Sequence, residues 1–277
     1  MKLGIRGHDL GKNSPKAFAE SVRKAKLNSL QLVLPKAIDY KSEKPLILND
    51  SLIDELCQQL EENNVEVAMM GAYFNPIHSD KEKVADTVEN FKNHLQKAHR
   101  FGTNLVGTET GSYNDDEWTW HENNGSEAAF SEVLSVFASL LPTAEETGTY
   151  LTIEPAYHHV ISSPQRLKRL VDALDSNRVK VIFDLFNLLH DGNYENQRQL
   201  VDEMVELFSD KIEIVHAKDF IVQDGKVVQV APGKGMLDYK YLLNKLETLQ
   251  TKPQIIFEGV TGEDIEFSRQ YLTGLIA

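Results

Sequence analysis

The sequence has a single cysteine, Cys57, among its 277 residues. An intrachain disulfide is therefore impossible, and no thiolate metal cluster can be built, so any metal ion would need oxygen and imidazole ligands. Basic residues are also scarce, because 29 Lys and Arg face 42 Asp and Glu, which gives a formal charge of 29 − 42 = −13. No run of Lys or Arg offsets this negative field. A phosphate backbone would be repelled, and no nucleic-acid partner is expected.

Long apolar runs are missing as well. No stretch approaches the roughly 20 apolar residues that a membrane-spanning helix requires. The N-terminal residues Met-Lys-Leu-Gly-Ile-Arg-Gly-His lack the apolar centre of a secretory signal, so we expect a cytoplasmic protein without membrane contacts. With 41% hydrophobic and 26% charged residues, the composition is typical of a globular protein that buries a large core.

Short β-rich runs alternate with longer amphipathic runs along the whole chain. Near-continuous apolar runs such as Val-Lys-Val-Ile-Phe are typical of parallel strands covered on both faces. Eight uninterrupted strand–helix pairs predict an α/β fold, a single (β/α)₈ barrel over residues 1–277 with its active site at the carboxyl ends of strands five to eight. The predicted strands are Leu3–Arg6, Ser29–Leu34, Val65–Gly71, Asn104–Thr108, Tyr150–Glu154, Lys180–Asp184, Glu213–His216 and Gln254–Glu258.

The predicted helices show apolar residues three and four positions apart. This spacing predicts helices over Glu82–Arg100 and Ser126–Thr147, the second ending before Gly148 as a C-cap. Ser14-Pro15 and Ser163-Pro164 each combine a capping serine with a proline at the first helical position. The alternative fold is an open doubly wound sheet, but no Gly-x-Gly-x-x-Gly turn follows the first strand to support nucleotide binding.

Four consecutive predicted strands end in a potential metal ligand: Glu154, Asp184, His216 and Glu258. One charged residue at a strand end is an ordinary solvated terminus. Four neighbouring strands around a barrel lie ~4.8 Å apart, however, so their terminal side chains would converge on one rim. Three carboxylates and an imidazole suit Mn²⁺, Mg²⁺ or Co²⁺ and also accept Zn²⁺. The alternative is a structural ion network at the rim.

With this quartet, the sequence resembles the xylose-isomerase-like TIM-barrel superfamily of sugar-phosphate isomerases and epimerases, over essentially the full chain. Supporting motifs are Glu154-Pro155, the run from His216 to Asp219, and the Gly233-Lys234-Gly235 turn. The resemblance implies that the quartet binds one divalent cation, most simply Mn²⁺. It also implies a small-molecule sugar or polyol substrate and a homo-oligomer.

The implied reaction agrees with the chemistry of these residues. A cation polarises a carbonyl or hydroxyl oxygen, and a carboxylate then removes the neighbouring proton to give an enediolate. We therefore assign Glu154 and Glu258 as the catalytic acid/base pair, and Asp184 and His216 as ligands that mainly hold the metal. The order in which the two glutamates act stays open.

Two positions depart from the family pattern. Asp184-Leu185-Phe186-Asn187 replaces the Asp-x-x-His motif of the epimerases and of the related DNA-repair endonucleases. Asn187 suits a sugar hydroxyl but is a poor zinc ligand, which argues against a trinuclear zinc endonuclease. Lys218 stands where the epimerases tend to have an arginine, and in this the chain is more similar to the inosose-dehydratase branch. It is expected to bind substrate or to assist an elimination, and a solvated lysine is the alternative.

Three further residues are candidates for substrate binding: His8 after the first strand, His78 after the third and Glu109 after the fourth. Each has an ordinary alternative, a surface histidine or a loop acid. Acidic residues after Gly262 favour an unphosphorylated ketose or cyclic polyol. The leading hypothesis is thus a metal-dependent isomerase or epimerase of carbohydrate metabolism. Its rivals are an inosose-dehydratase-like lyase, a barrel that binds metal or sugar without turnover, and an endonuclease.

Overall fold

The computed structural model describes residues 1–39 and 50–276. Eight parallel strands close into a barrel in the spatial order β1-β10-β7-β6-β5-β4-β3-β2, which confirms the predicted (β/α)₈ fold. The barrel strands are β1 (Leu3–Arg6), β2 (Ser29–Leu32), β3 (Glu66–Gly71), β4 (Leu105–Glu109), β5 (Tyr150–Glu154), β6 (Val179–Asp184), β7 (Ile212–Ala217) and, after a hairpin, β10 (Gln254–Phe257). Among the described residues, no helix combines the length and apolarity needed to cross a membrane.

Helices surround the barrel, and their caps follow the sequence. Ser14 and Ser163 accept hydrogen bonds from the backbone N–H groups of Ala17 and Arg166 at the starts of α1 and α7, as predicted. The helices are α1 (Pro15–Lys24), α2 (Leu34–Ala37), α3 (Asp50–Glu62), α4 (Lys81–Lys97), α5 (Glu127–Ala138), α6 (Leu141–Thr147), α7 (Pro164–Leu174), α8 (Leu185–Leu188), α9 (Gln197–Phe208), α10 (Tyr239–Leu246) and α11 (Glu263–Ile276).

The predicted helix over Ser126–Thr147 is wrong, because the segment forms two helices, α5 and α6. Pro142 has no N–H, and in a continuous helix its ring would clash with the carbonyl of Ala138, where α5 ends. Gly148 does cap the second helix, with φ of 72° in the left-handed region.

A β-hairpin that the sequence analysis does not predict follows β7. Its strands are β8 (Asp219–Gln223) and β9 (Lys226–Val230), paired antiparallel. The turn residues Asp224 and Gly225 both have positive φ, 51° and 76°, as a two-residue type I′ turn requires. In the sequence, the Asp-Gly pair between two short apolar runs is the pattern that indicates such a hairpin.

The barrel interior explains which side chains reach the site. Met69, Ile182, Ile214 and Ile256 pack together as a buried layer inside the barrel, and Gly107 makes room for the Met69 side chain because a Cβ there would lie 2.6 Å from Met69 Cε. Side chains two residues apart on a strand point to the same face. The next inward layer toward the carboxyl ends therefore contains one position from each of the first seven barrel strands and the residue directly after β10: Arg6, Gln31, Gly71, Glu109, Glu154, Asp184, His216 and Glu258.

Candidate metal centre

The four strand-end residues lie together at this layer. Glu154, Asp184 and His216 are at most 3% exposed, and each of the four offers a ligand atom within 4.8 Å of the others. His216 Nδ1 is central, at 2.8 Å from Glu258 Oε2, 3.1 Å from Glu154 Oε1 and 3.6 Å from Asp184 Oδ2. Adjacent ligands of an octahedral ion with 2.0–2.1 Å bonds lie roughly 3 Å apart. The donor set and its spacing thus fit one divalent cation.

A buried glutamine selects the tautomer of His216. Gln31 Oε1 lies 2.6 Å from His216 Nε2, and an amide oxygen only accepts, so Nε2 carries a proton and Nδ1 faces the carboxylates. The Gln31 amide nitrogen donates to the Tyr73 hydroxyl at 2.7 Å, and that hydroxyl lies 3.5 Å from Glu154 Oε2. This chain of contacts orients two of the four candidate ligands, as supporting groups do around metal sites.

Without a cation, the carboxylates draw a proton onto the imidazole. Burial opposes the imidazolium, but the charges of Glu154 and Glu258 outweigh it and raise the pKa of His216 well above its usual value. A divalent ion at Nδ1 would take the place of this proton.

Lys218 is buried inside the cluster, with only 5% of its side chain exposed. Its Nζ lies 2.9 Å from Asp184 Oδ2, 2.9 Å from Glu258 Oε1 and 3.0 Å from Asn187 Oδ1. Burial opposes its charge, but the carboxylates of Asp184 and Glu258 raise the pKa of Lys218 above its usual value. It is therefore a charged, fixed ammonium group, and the solvated lysine that the sequence left open is wrong.

Asn187 is placed by the short helix α8, whose N-cap is Asp184. Asp184 Oδ1 accepts from the Asn187 backbone N–H at 3.1 Å. The Asn187 side chain then bridges two neighbours, donating to Glu154 Oε1 at 2.7 Å and accepting from Lys218. Its amide thus holds Glu154 and Lys218 in place.

The two glutamates have the same chemistry and opposite surroundings. Burial raises the pKa of Glu154, against the opposing charge of His216. Glu258 keeps 14% of its side chain exposed. Desolvation opposes its charge, but Lys218 and His216 lower its pKa well below the usual value, with help from Arg6 at 2.8 Å. Environments that separate the pKa values of two carboxyl groups are typical of acid/base pairs.

A cavity of about 370 Å³ opens onto Glu258 from the carboxyl end of the barrel. His8 and Glu109 line it, and His78 instead lines a neighbouring cavity, where its Nδ1 accepts from the Asp80 backbone N–H at 2.9 Å. Burial and the charge of Arg6 lower the pKa of His8 to about 4, so it is neutral at physiological pH. The other lining residues are Arg6, Lys36, Tyr73, Asp116, Glu117 and Trp118.

Two supporting residues escaped the sequence analysis. Arg6 and Gln31 lie in strands β1 and β2. The available signal for a role in the site was a polar side chain at an inward-facing position of a short apolar run. Arg6 also binds Asp9 at 2.8 Å, and Asp9 accepts from the backbone N–H of Gly259 at 2.7 Å, which ties the first strand to the loop after Glu258.

Asp219, the last residue of the motif after β7, supports the backbone rather than the metal site. Its two carboxylate oxygens accept from the N–H groups of Gly233, Gly235 and Leu237 at 2.9–3.0 Å. Tyr239 donates its hydroxyl to the Lys218 carbonyl at 2.7 Å. The glycine turn and its motif therefore fix the backbone that carries Lys218.

Solved structures share this fold at low sequence identity. A D-tagatose 3-epimerase-like protein is 18% identical with a TM-score of 0.76, covering 100% of this chain and 97% of the other. The IOLI protein with a bound zinc atom is 16% identical with a TM-score of 0.75, covering 100% and 98%. The probable 3-DHS dehydratase AsbF from Bacillus anthracis is 14% identical with a TM-score of 0.74, covering 99% of each chain.

Comparison with curated proteins finds no match. Residues 19–272 match the family described as xylose isomerase-like TIM barrel, which is most of the chain. Its members are mostly enzymes, among them sugar epimerases, isomerases and a dehydratase. The chain belongs to the xylose isomerase-like TIM barrel family.

Proposed function

We propose that the protein is a divalent-metal-dependent sugar isomerase or epimerase. Glu154, Asp184, His216 and Glu258 would hold one ion, with Mn²⁺ as the first choice and Mg²⁺, Co²⁺ or Zn²⁺ as alternatives. The observation that carries the proposal is the position of His216 Nδ1 between two glutamates, 3.1 Å from Glu154 and 2.8 Å from Glu258. When bound, such an ion acidifies the C–H beside a carbonyl or hydroxyl group.

In this proposal, protein side chains carry out the proton transfer. Glu154 and Glu258 approach the same point from different strands, so one removes a proton from an enediolate-forming substrate and the other returns it. Tyr73 and Asn187 hold Glu154, while Arg6 and Lys218 hold Glu258. These contacts keep both carboxylates in place during the reaction.

Substrate would enter the 370 Å³ cavity, a size suited to a small sugar or polyol. We assign His8 and Glu109, which line this cavity, to its hydroxyl groups. Lys218 lies behind Glu258 and is assigned to a hydroxyl that reaches past that carboxylate, with Asn187 holding Lys218 in place. His78 could meet only a substrate that extends into the neighbouring cavity.

Asp116, Glu117 and Glu258 place negative charge around the cavity, which favours an unphosphorylated ketose or cyclic polyol. Burial and the charge of Glu154 raise the pKa of Glu109 well above its usual value, so its carboxyl group can donate to a hydroxyl.

A lyase is the second candidate, and the buried Lys218 favours it. Its ammonium lies within 3.0 Å of Asp184, Glu258 and Asn187, where its fixed positive charge would stabilise a departing β-hydroxyl. The glutamate that removed the substrate proton would deliver it to that oxygen, so that water leaves. Similarity to a probable 3-DHS dehydratase is consistent with this chemistry on the same fold.

A screen for solvent-deuterium incorporation tests both candidates. Purified protein with Mn²⁺ is incubated in D₂O with ketoses, ketose phosphates and inososes, and the products are analysed by mass spectrometry and NMR. Deuterium uptake without a change in molecular formula identifies an isomerase or epimerase, and loss of water identifies the lyase. If the protein binds Mn²⁺ but neither result is seen for any sugar, the proposal is refuted in favour of a non-catalytic binding protein.

A further inference from the structure

A second cavity of about 390 Å³ lies beside the substrate cavity. Tyr73 and Trp118 line both cavities, so the two spaces share a wall. Most of its lining surface is apolar and includes Val33, Ala72 and Phe74, each at most 6% exposed, and charged groups such as Lys36, Lys83 and Asp116 complete the lining. Aromatic and aliphatic walls of this kind favour an apolar ring over a polyol chain.

One residue that lines this cavity has a buried polar atom without a partner among the described residues. His94 is 2% exposed, and its Nδ1 lies 2.8 Å from the Asn90 carbonyl, which only accepts, so Nδ1 carries the proton. Burial lowers the pKa of His94, which keeps the ring neutral. Nε2 is left as a bare acceptor, and His94 lines the cavity. A buried acceptor without a donor is unfavourable, and a ligand hydroxyl would satisfy it.

We propose that this cavity is a subsite for an aromatic substituent that carries a hydroxyl group. The ring packs among Tyr73, Phe74 and Trp118, and its hydroxyl donates to His94 Nε2. The substituent extends from a sugar or polyol bound in the substrate cavity, so the substrate class becomes a hydroxyaryl sugar derivative rather than a free ketose. The link to a sugar rests on the proposed function, whereas the ring-binding site stands on its own geometry.

Fluorine NMR with 4-fluorophenol tests the site directly, using the whole protein with Mg²⁺. We expect saturable binding, and 4-fluoroanisole, which has no donor, should bind about 3- to 10-fold more weakly, the net contribution of one hydrogen bond. His94→Phe keeps the ring and removes the acceptor, so the two probes should then bind equally. His99→Phe, at an exposed histidine on the turn after the same helix, is the matched control and should keep the difference.

Filling the cavity provides an independent test. Thr87 lines the cavity and donates its hydroxyl to the Lys83 carbonyl of its own helix, four residues earlier. Thr273 makes the same contact with Arg269 on α11 at the far side of the chain. Thr87→Phe should weaken 4-fluorophenol binding at least 10-fold, and Thr273→Phe should leave it unchanged. Circular dichroism confirms that each variant is folded.

The site is refuted if 4-fluorophenol does not bind, if it binds no better than 4-fluoroanisole, or if Thr87→Phe binds it as the unmodified protein does. These readouts need no turnover. A protein that binds 4-fluorophenol through His94 but exchanges no sugar proton would therefore refute the proposed function and leave the subsite intact. Proton exchange without 4-fluorophenol binding would do the reverse.

Discussion

The two halves of the barrel rim use the same layer of inward positions differently. Strands β5, β6 and β7 and the residue directly after β10 supply the four candidate ligands, and we call this part of the rim the ligand half. Strands β1 to β4 supply Arg6, Gln31 and Glu109, with Tyr73 just beyond β3, which we call the support half. Gln31 contacts His216 across the barrel, and Arg6 contacts Glu258 where β1 pairs with β10. One half thus offers donors to a cation, and the other sets their orientation and charge.

The largest expected effect is a difference in turnover between variants of two glutamates that lie side by side on neighbouring strands. Glu109 and Glu154 pair across β4 and β5, one in each half. Glu154→Gln should lower substrate proton exchange by ~10²–10⁴-fold because it removes a proton-transfer group. Glu109→Gln should bind Mn²⁺ as the unmodified protein does, and its main effect should be a higher KM because a substrate-binding group is lost. Steady-state kinetics and calorimetric Mn²⁺ titration measure both, and equal loss of turnover in the two variants would remove the distinction between the halves.

Within the ligand half, metal holding can be separated from proton transfer. Asp184→Asn should weaken Mn²⁺ binding, and excess Mn²⁺ should restore part of the activity because the proton-transfer groups remain. Glu258→Gln should stay inactive at saturating Mn²⁺. Activity measured against Mn²⁺ concentration gives the comparison, and full rescue of Glu258→Gln would contradict its catalytic assignment.

The support half is tested by Gln31→Met, which keeps the size of the side chain and removes both hydrogen bonds. With the tautomer of His216 no longer selected, Mn²⁺ affinity should fall about 10- to 100-fold although all four ligands remain. The matched control is Gln254→Met, a glutamine on β10 at the opposite end of the barrel that bonds to Ser29. If Gln31→Met left Mn²⁺ affinity unchanged, Gln31 would only pack in the barrel and would not orient His216.

The smallest effect concerns stability and lies outside both halves. Burial, with the nearby charge of His158, lowers the pKa of His159 to about 4. Between pH 6.5 and pH 4 the unfolded chain gains a proton that the folded chain does not, so stability falls on acidification. His159→Phe should reduce this loss by on the order of 1–3 kcal/mol, measured by urea unfolding at both pH values. An unchanged loss would mean that other groups cause it.

The sequence revealed the ligand half far better than the support half, for a physical reason. Glu154 and Asp184 are the last residues of apolar strands, and His216 is the last but one of its strand. The apolar run before each residue indicates a strand end in the sequence. The function of Gln31 depends on β2 facing β7 across the closed barrel, and that of Arg6 depends on the first strand pairing with the last. No local pattern contains these long-range arrangements. Lys218 differs again, because its backbone is held by contacts of Asp219 with the glycine turn and of Tyr239 with the Lys218 carbonyl, which span 14 to 21 residues of sequence.

The fold itself was readable because parallel strands and amphipathic helices have distinct periods. All eight barrel strands were predicted, most of them with ends one or two residues off. Two predictions failed where a local residue overrides the apolar pattern. Pro142 breaks a helix whose apolar spacing continues past it, and the Asp224-Gly225 turn forms a hairpin in a segment between two barrel units.

Electron spin echo spectroscopy of the Mn²⁺-loaded protein tests the central claim, that the four residues share one ion. The account predicts one Mn²⁺ per chain with coupling to a single imidazole nitrogen, and loss of that coupling in His216→Gln. Substoichiometric or multiple Mn²⁺ binding, or nitrogen coupling that survives in His216→Gln, would contradict it.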